Sequence, residues 1–93
     1  PWLVTADEVP DPAALSLWLQ VNGEPRQQAS VSQLIYDVPR LIEFASSFYT
    51  LEPGDVIMTG TPEGVGPVRP GDTLDAGIAG LGTLRMRVAP HYA

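Results

Sequence analysis

The sequence predicts a small α+β domain that is mostly β-structure. Three observations lead to this fold class. Leu15, Leu17 and Leu19 alternate with Ser16, Trp18 and Gln20, and this period-two run continues to Val21, just before Asn22-Gly23. A single amphipathic segment begins after Asp37. Eight of the nine glycines lie between Gly54 and Gly82, where two Pro-Gly-Asp tripeptides separate short apolar runs.

The first half of the chain predicts a hairpin. The stretch from Thr5 to Pro12 is polar and contains Pro10-Asp11-Pro12, which blocks any helix there. Leu15, Leu17 and Leu19 should share one face of a strand, with Trp18 on the other. Asn22-Gly23 is a strong two-residue turn signal, and Glu24 to Gln28 should form the returning strand. Pro25 places that strand at a sheet edge, because proline donates no ladder hydrogen bond.

One helix is expected after the ambiguous stretch from Ala29 to Tyr36. Asp37 is a plausible N-cap, and Pro39 is tolerated in the first turn. The helical spacing of six apolar residues predicts a face directed at a core. These residues are Val38, Leu41, Ile42, Ala45, Phe48 and Tyr49.

The second half predicts type II turns and further strands. Pro53-Gly54 and Pro70-Gly71 fit the two central positions of such turns. Each turn should lead into a strand, at Asp55–Thr59 and at Asp72–Ile78. The alternation of Leu84, Met86 and Val88 with polar residues predicts a last strand, and Ala89 to Ala93 should form a tail.

The composition excludes several classes of partner. The 93 residues carry 11 acidic and 5 basic side chains and a net charge of −6, with no lysine and no arginine cluster. Nucleic acid and anionic membranes are therefore not expected as partners. No apolar run approaches the roughly 20 residues of a membrane helix. Cysteine is absent, which excludes disulfides and thiolate sites within the chain and is compatible with a reducing compartment. We expect a cytoplasmic protein.

The glycine-rich loop from Thr59 to Gly66 is the candidate site. Gly60 and Pro62 should shape a turn that presents the hydroxyl of Thr61, although Thr59 also flanks Gly60. Spacing alone favours an ordinary turn between two strands. A phosphate loop is not supported, because the chain lacks its closing Gly-Lys-Ser/Thr.

The acidic residues and the histidine do not predict a metal or triad site. Asp55, Asp72 and Asp75 are scattered among turns and strand starts. His91 is the sole histidine and is the third residue from the end, where an exposed tail is expected.

The segment from Leu51 to Gly66 closely resembles the signature near the C-terminus of the fumarylacetoacetate hydrolase family. The resemblance extends upstream through Val9-Pro10-Asp11-Pro12 and Leu17–Gln27, where it is typical of the acylpyruvase, fumarylpyruvate hydrolase and hydroxyhepta-diene-dioate isomerase branch. Pro1-Trp2 also matches this branch. Further matches lie downstream at Pro70-Gly71-Asp72 and Gly80–Leu84.

The resemblance implies that residues 1–93 are the C-terminal portion of a single catalytic domain with a mixed β-sandwich/roll fold. The family binds Mg²⁺ or Mn²⁺ through a Glu-x-Glu pair and an aspartate, all upstream of the segment that matches this chain. Among the active-site groups, Thr61 carries over as a catalytic and substrate-binding residue, with Gly60 beside it. Thr61 should orient an oxo-acid, because a neutral hydroxyl can donate to an oxyanion without adding charge.

The resemblance also implies an activity and an assembly. The leading expectation is that the chain is a fragment of a metal-dependent hydrolase that acts on C–C bonds of acylpyruvate- or fumarylpyruvate-like diketo acids. The alternative is an isomerase or decarboxylase of the 2-hydroxyhepta-2,4-diene-1,7-dioate type in aromatic catabolism. A homodimer is expected, and the chain should need the rest of its own catalytic domain, so these residues alone should be inactive. A hypothesis from another class is a non-catalytic β-rich module for assembly or partner binding.

Overall fold

The computed structural model describes residues 3–90 and has the predicted α+β class. One helix, α1, spans Val38–Phe48. Four strands, β1 to β4, span Ser16–Val21, Glu24–Ser30, Thr73–Ile78 and Gly82–Arg87. They form one sheet in the order β2-β1-β3-β4, and every neighbouring pair is antiparallel. The expectations for Pro1-Trp2 and for His91 fall outside the described residues.

The predicted hairpin between β1 and β2 is confirmed. Asn22 and Gly23 have φ angles of 53° and 82°, as a type I′ turn requires at both central positions. Strand β2 lies at the edge of the sheet, which is where Pro25 is tolerated.

Strand β2 contains a β-bulge that the spacing did not indicate. Leu19 pairs with Gln27, whereas the next residue, Gln20, pairs with Pro25. Arg26 is therefore the extra residue. Because a bulge shifts the register by one, Gln27 occupies the position opposite Leu19 that Arg26 would take in a regular ladder.

The two faces of the sheet differ in polarity, as the alternation predicted. One face carries Leu17, Leu19 and Val21 of β1, and register places Leu74 and Ala76 of β3 beside them. Trp18 lies on the other face, opposite Gly77. A Cβ atom at Gly77 would lie 2.8 Å from three atoms of the Trp18 indole, so the ring covers this glycine.

The turn before β3 is tied to the hairpin. Gly71 has a φ of 94°, and the Asp72 amide donates to the Arg69 carbonyl at 3.0 Å, as expected for the predicted turn. The Asp72 carboxylate accepts from the Arg69 amide and from the side-chain amide of Asn22, both at 2.9 Å. Asn22 also accepts from the Thr73 amide at 2.9 Å. These bonds join two turns that are about fifty residues apart in sequence.

The strand predicted at Asp55–Thr59 is wrong. The turn before it forms, with Gly54 at a φ of 96°, but the residues after it have no strand geometry. Val56 and Met58 are 84% and 92% exposed. A strand needs a neighbouring strand to complete its backbone hydrogen bonds, and no described residue pairs with this segment.

The helix forms as predicted, but the prediction that it packs against a core is wrong for the described residues. Asp37 caps the N-terminus by accepting from the Arg40 amide at 2.9 Å. None of the residues of α1 is buried, and Ile42 and Phe48 of the predicted face are exposed. Within residues 3–90 the apolar side of the helix therefore lacks the partner that would cover it.

Few apolar side chains are enclosed in the described part of the chain, where Val21 is the one buried hydrophobic residue. The radius of gyration is 15.6 Å. A compact domain of this length would have about 12 Å. The apolar sheet face is thus mostly only half-buried, and much of the helix is exposed.

The connecting segments form short 3₁₀ turns. Two lie at Ala6–Glu8 and Pro12–Ala14, so the prolines exclude an α-helix there but not a single turn. A third, Val31–Gln33, resolves the ambiguous stretch and is capped by Ser30. Among the described residues, no helix is long and apolar enough to cross a membrane.

Candidate functional site

A groove of about 670 Å³ lies at one end of the sheet. Its walls come from the start of β1, the end of β2 with the turn after it, the first turns of α1 and the loop from Thr59 to Glu63. Leu17, Leu34 and Leu41 make much of the lining apolar, while Thr59 and Thr61 supply hydroxyl groups. An apolar groove with a few polar groups is the usual form of a small-molecule site.

Thr61 lies at this groove, beside Gly60 and Thr59. Its side chain is exposed, and its Oγ1 accepts a hydrogen bond from Nε2 of Gln27 at 3.0 Å. The same nitrogen donates to the carbonyl oxygen of Pro62 at 2.8 Å. The candidate residues therefore meet in one concave surface, and a single amide side chain from β2 holds the loop. The functional role of Thr61 and Gly60 stays a prediction.

The bulge residue Arg26 holds the following part of the loop. Gly64 has a φ of 105°, and a Cβ atom there would lie 2.0 Å from the Arg26 carbonyl oxygen. Nη1 of Arg26 donates to the carbonyl oxygen of Pro67 at 3.3 Å. Because only glycine allows this close approach, the loop can lie directly along the edge strand.

The sequence interpretation missed Gln27 and Arg26 as residues of the site. Both stand within the Leu17–Gln27 stretch that carries the family resemblance, so a signal existed. Read as a plain returning strand, this stretch gives no reason to connect Gln27 with Thr61, which is 34 residues away.

The groove contains few titratable groups. Glu63 and Tyr36 are the two on its lining. Within residues 3–90, no three histidine or acidic side chains converge on a possible metal position. The side chains of residues 3–90 thus do not form a metal site by themselves.

Two pKa shifts concern residues of the sheet and its turns, away from the groove. Hydrogen bonds from the Arg69 amide and from Asn22 lower the pKa of Asp72. Nε of Arg85 donates a hydrogen bond to Oδ1 of Asp75 at 2.7 Å, and this bond raises the pKa of Arg85. Both shifts favour the charged forms that hold neighbouring elements together, so they concern stability.

Comparison with known proteins shows several close similarities, three of which follow. The chain is 59% identical over 88 residues to maleylpyruvate hydrolase of Aquipseudomonas alcaligenes, covering 95% of this chain and 31% of the relative. It is 48% identical, with a TM-score of 0.91, to a maleylpyruvate hydrolase from Sphingobium sp. SYK-6 in complex with manganese (II) ion and pyruvate. That match covers 95% of this chain and 33% of the structure.

The third similarity is to an isomerase. The structure of 2-hydroxyhepta-2,4-diene-1,7-dioate isomerase from Mycobacterium marinum is 49% identical, with a TM-score of 0.80, and covers 85% of this chain and 31% of that structure. The chain thus spans about a third of the length of these relatives.

A family model provides the broadest comparison. Residues 1–89 match the model described as fumarylacetoacetate (FAA) hydrolase C-terminal, which is nearly the whole chain. Together with the shared sheet and helix, this match establishes what the loop motif implied. The chain belongs to the fumarylacetoacetate hydrolase family.

Proposed function

We propose that residues 1–93 are the C-terminal portion of a single catalytic domain whose whole protein hydrolyses acylpyruvates such as maleylpyruvate or fumarylpyruvate. The 59% identity to a maleylpyruvate hydrolase supports acylpyruvates as the substrate class. Membership of the family alone does not specify a substrate. The reaction would consume water, break a C–C bond and release pyruvate with a second carboxylic acid. In the full protein, the domain would complete the mixed β-sandwich/roll.

The observation that carries the proposal is the Thr61 hydroxyl at the groove. It is exposed beside Gly60, and Gln27 holds its oxygen in place. An acylpyruvate presents a carboxylate and a keto oxygen, and both accept hydrogen bonds. A fixed hydroxyl can donate to either oxygen and orient the substrate without changing the charge of the site.

The metal ion belongs to the proposal as well. Mn²⁺ accompanies pyruvate in the Sphingobium relative, which supports Mn²⁺ or Mg²⁺ as cofactor of the whole protein. Its ligands would come from parts of the protein outside this chain. A homodimer and a cytoplasmic location complete the proposal, and light scattering of the purified full-length protein would check the assembly.

An isomerase or decarboxylase of the 2-hydroxyhepta-2,4-diene-1,7-dioate type is the second candidate. The 49% identity to the Mycobacterium marinum isomerase favours it. The products distinguish the three reactions. Hydrolysis yields two acids, isomerisation leaves the mass unchanged, and decarboxylation releases CO₂.

The test uses the full-length protein with maleylpyruvate, fumarylpyruvate and other 2,4-diketo acids, before and after treatment with EDTA. We expect release of pyruvate that stops on chelation and returns with added Mn²⁺ or Mg²⁺. Activity that chelation leaves unchanged would contradict the metal requirement. Products of unchanged mass would favour the isomerase.

A second experiment examines Thr61 itself. Thr61→Val keeps the shape and removes the hydroxyl, so we expect turnover per KM to fall about 10- to 100-fold, as for a lost bond to a charged group. Thr83→Val, on the strand at the opposite edge of the sheet, is the matched control. If Thr59→Val shows the loss and Thr61→Val does not, the functional hydroxyl is the other threonine.

A third experiment uses residues 1–93 as an isolated polypeptide. We expect no activity, because no metal site forms among the residues that the structure describes. We also expect poor solubility, because many large apolar side chains are exposed. A sharp, reversible melting transition of a monomer would contradict the expected instability.

A further inference from the structure

Gln27 is a half-buried polar residue on the apolar face of the sheet, where apolar side chains are usual. It lies opposite Leu19, on the face of the sheet that also carries Leu17 and Val21. Its side chain is half-buried, whereas Arg26 and Gln28 on either side are exposed. The bulge at Arg26 gives Gln27 this position, and bulges often serve to redirect a side chain.

The hydrogen bonds of Gln27 determine which way its amide points. The Pro62 carbonyl can only accept, so the atom facing it, 2.8 Å away, must be Nε2 with its two hydrogens. The same Nε2 lies 3.0 Å from Oγ1 of Thr61. The second hydrogen of the amide therefore points at Thr61, and the threonine oxygen is the acceptor in that bond.

This arrangement sets the polarity of the Thr61 hydroxyl. A hydroxyl group has one hydrogen to donate and two lone pairs that accept. Gln27 engages one lone pair, so the hydrogen of Thr61 is not used in this bond. Among the described residues, no hydrogen bond takes this hydrogen. It is available to a ligand in the groove that Thr61 lines.

We propose that Gln27 is a positioning residue that fixes Thr61 as a hydrogen-bond donor toward the substrate. This inference rests on the proposed role of Thr61 in binding an oxo-acid. It also predicts which chemical groups of a ligand the site prefers. The position beside Thr61 takes a group that accepts, such as a carboxylate or keto oxygen, in preference to an amide or ammonium that donates.

The test measures pyruvate binding to the full-length protein in the presence of Mn²⁺ by calorimetry. Gln27→Met keeps the length of the side chain and removes both donors. We expect pyruvate to bind about tenfold more weakly, since Thr61 is then free to turn away. Gln20→Met is the matched control, because Gln20 lies on the opposite face of the neighbouring strand. The Gln20→Met protein should bind pyruvate as tightly as the wild type.

The double variant separates positioning from a general structural effect. If Gln27 acts through Thr61, adding Gln27→Met to Thr61→Val should cause little further loss. Losses that multiply would overturn the positioning role and leave the proposed role of Thr61 intact. If Thr61→Val alone leaves binding unchanged, the role of Thr61 is itself wrong and the positioning proposal falls with it.

A second substitution keeps the proposal testable if Gln27→Met does not fold. Gln27→Glu places a carboxylate of similar size there, which accepts from Thr61 when ionised and takes its hydrogen away from the ligand. We expect weaker pyruvate binding than in the wild type at neutral pH. The ratio to the wild type should recover as the introduced carboxyl is protonated. Binding equal to the wild type at neutral pH would overturn the proposal.

Discussion

The carbonyl oxygen of Arg26 lies against the α-carbon of Gly64, so close that a Cβ atom there would be 2.0 Å from it. Arg26 is the extra residue of the bulge in β2, and Gly64 belongs to the loop that carries Thr61. One irregularity in an edge strand thus supports the loop. Gln27, the next residue, completes the support by binding Thr61 and Pro62.

The first prediction concerns this contact. In full-length protein, Gly64→Ala should lower the free energy of unfolding by about 1–3 kcal/mol, because both a steric clash and a positive φ must be accommodated. It should also weaken pyruvate binding, since the loop has to move. Calorimetric melting and titration measure the two effects.

Gly80→Ala serves as the control for Gly64→Ala. Gly80 has a φ of 84°, but no atom lies within 4 Å of a Cβ built there. It therefore carries the cost of the backbone conformation without the clash. Equal destabilisation by the two variants, with normal pyruvate binding in both, would show that the contact with Arg26 does not hold the loop.

The second prediction concerns Trp18 and Gly77. Gly77→Ala adds a methyl group that would lie 2.8 Å from the Trp18 ring, so the indole must shift or the strands must separate. We expect a loss of about 1–3 kcal/mol in unfolding free energy, as for an overpacked site. The emission spectrum of Trp18 should change too, when measured in a Trp2→Phe background. An unchanged spectrum with unchanged stability would contradict the packing.

The third prediction follows from the lowered pKa of Asp72, caused first by the Arg69 amide and then by Asn22. A carboxyl whose pKa is lower in the folded state stabilises the fold above its ordinary pKa, about 3.9. That contribution is lost as the pH falls through the lowered value. Asp72→Asn should therefore destabilise the full-length protein at neutral pH, and its difference from the wild type should shrink below about pH 4.

Denaturant titrations at several pH values measure this difference. Asn22→Ala gives the control, since it removes one of the two hydrogen bonds that the Asp72 carboxylate accepts. In that background the effect of Asp72→Asn should be smaller. An effect of Asp72→Asn that is the same at neutral and acid pH would rule out the role assigned to the carboxylate charge.

Local features of the fold could be predicted because they depend on neighbouring residues. Asn22-Gly23 favours the positive φ angles of the hairpin turn, and Asp37 offers an acceptor to the first turn of α1. The candidate loop was also recognised from sequence, through a motif that includes Thr61. The packing of these elements was not predictable in the same way. The segment Asp55–Thr59 was expected to form a strand, yet no described strand pairs with it. The apolar side of α1 was expected to face a core, yet within residues 3–90 nothing covers it.

The sequence by itself determined the turns, the helix, the alternation of the strands and the family. Only the tertiary structure decided that Gln27 holds Thr61 and that Arg26 lies against Gly64. The reason is that these contacts depend on the register of one strand and on the meeting of segments more than thirty residues apart. A single-residue shift in register moves a side chain to the other face, and the pattern of β2 along the chain does not indicate that shift.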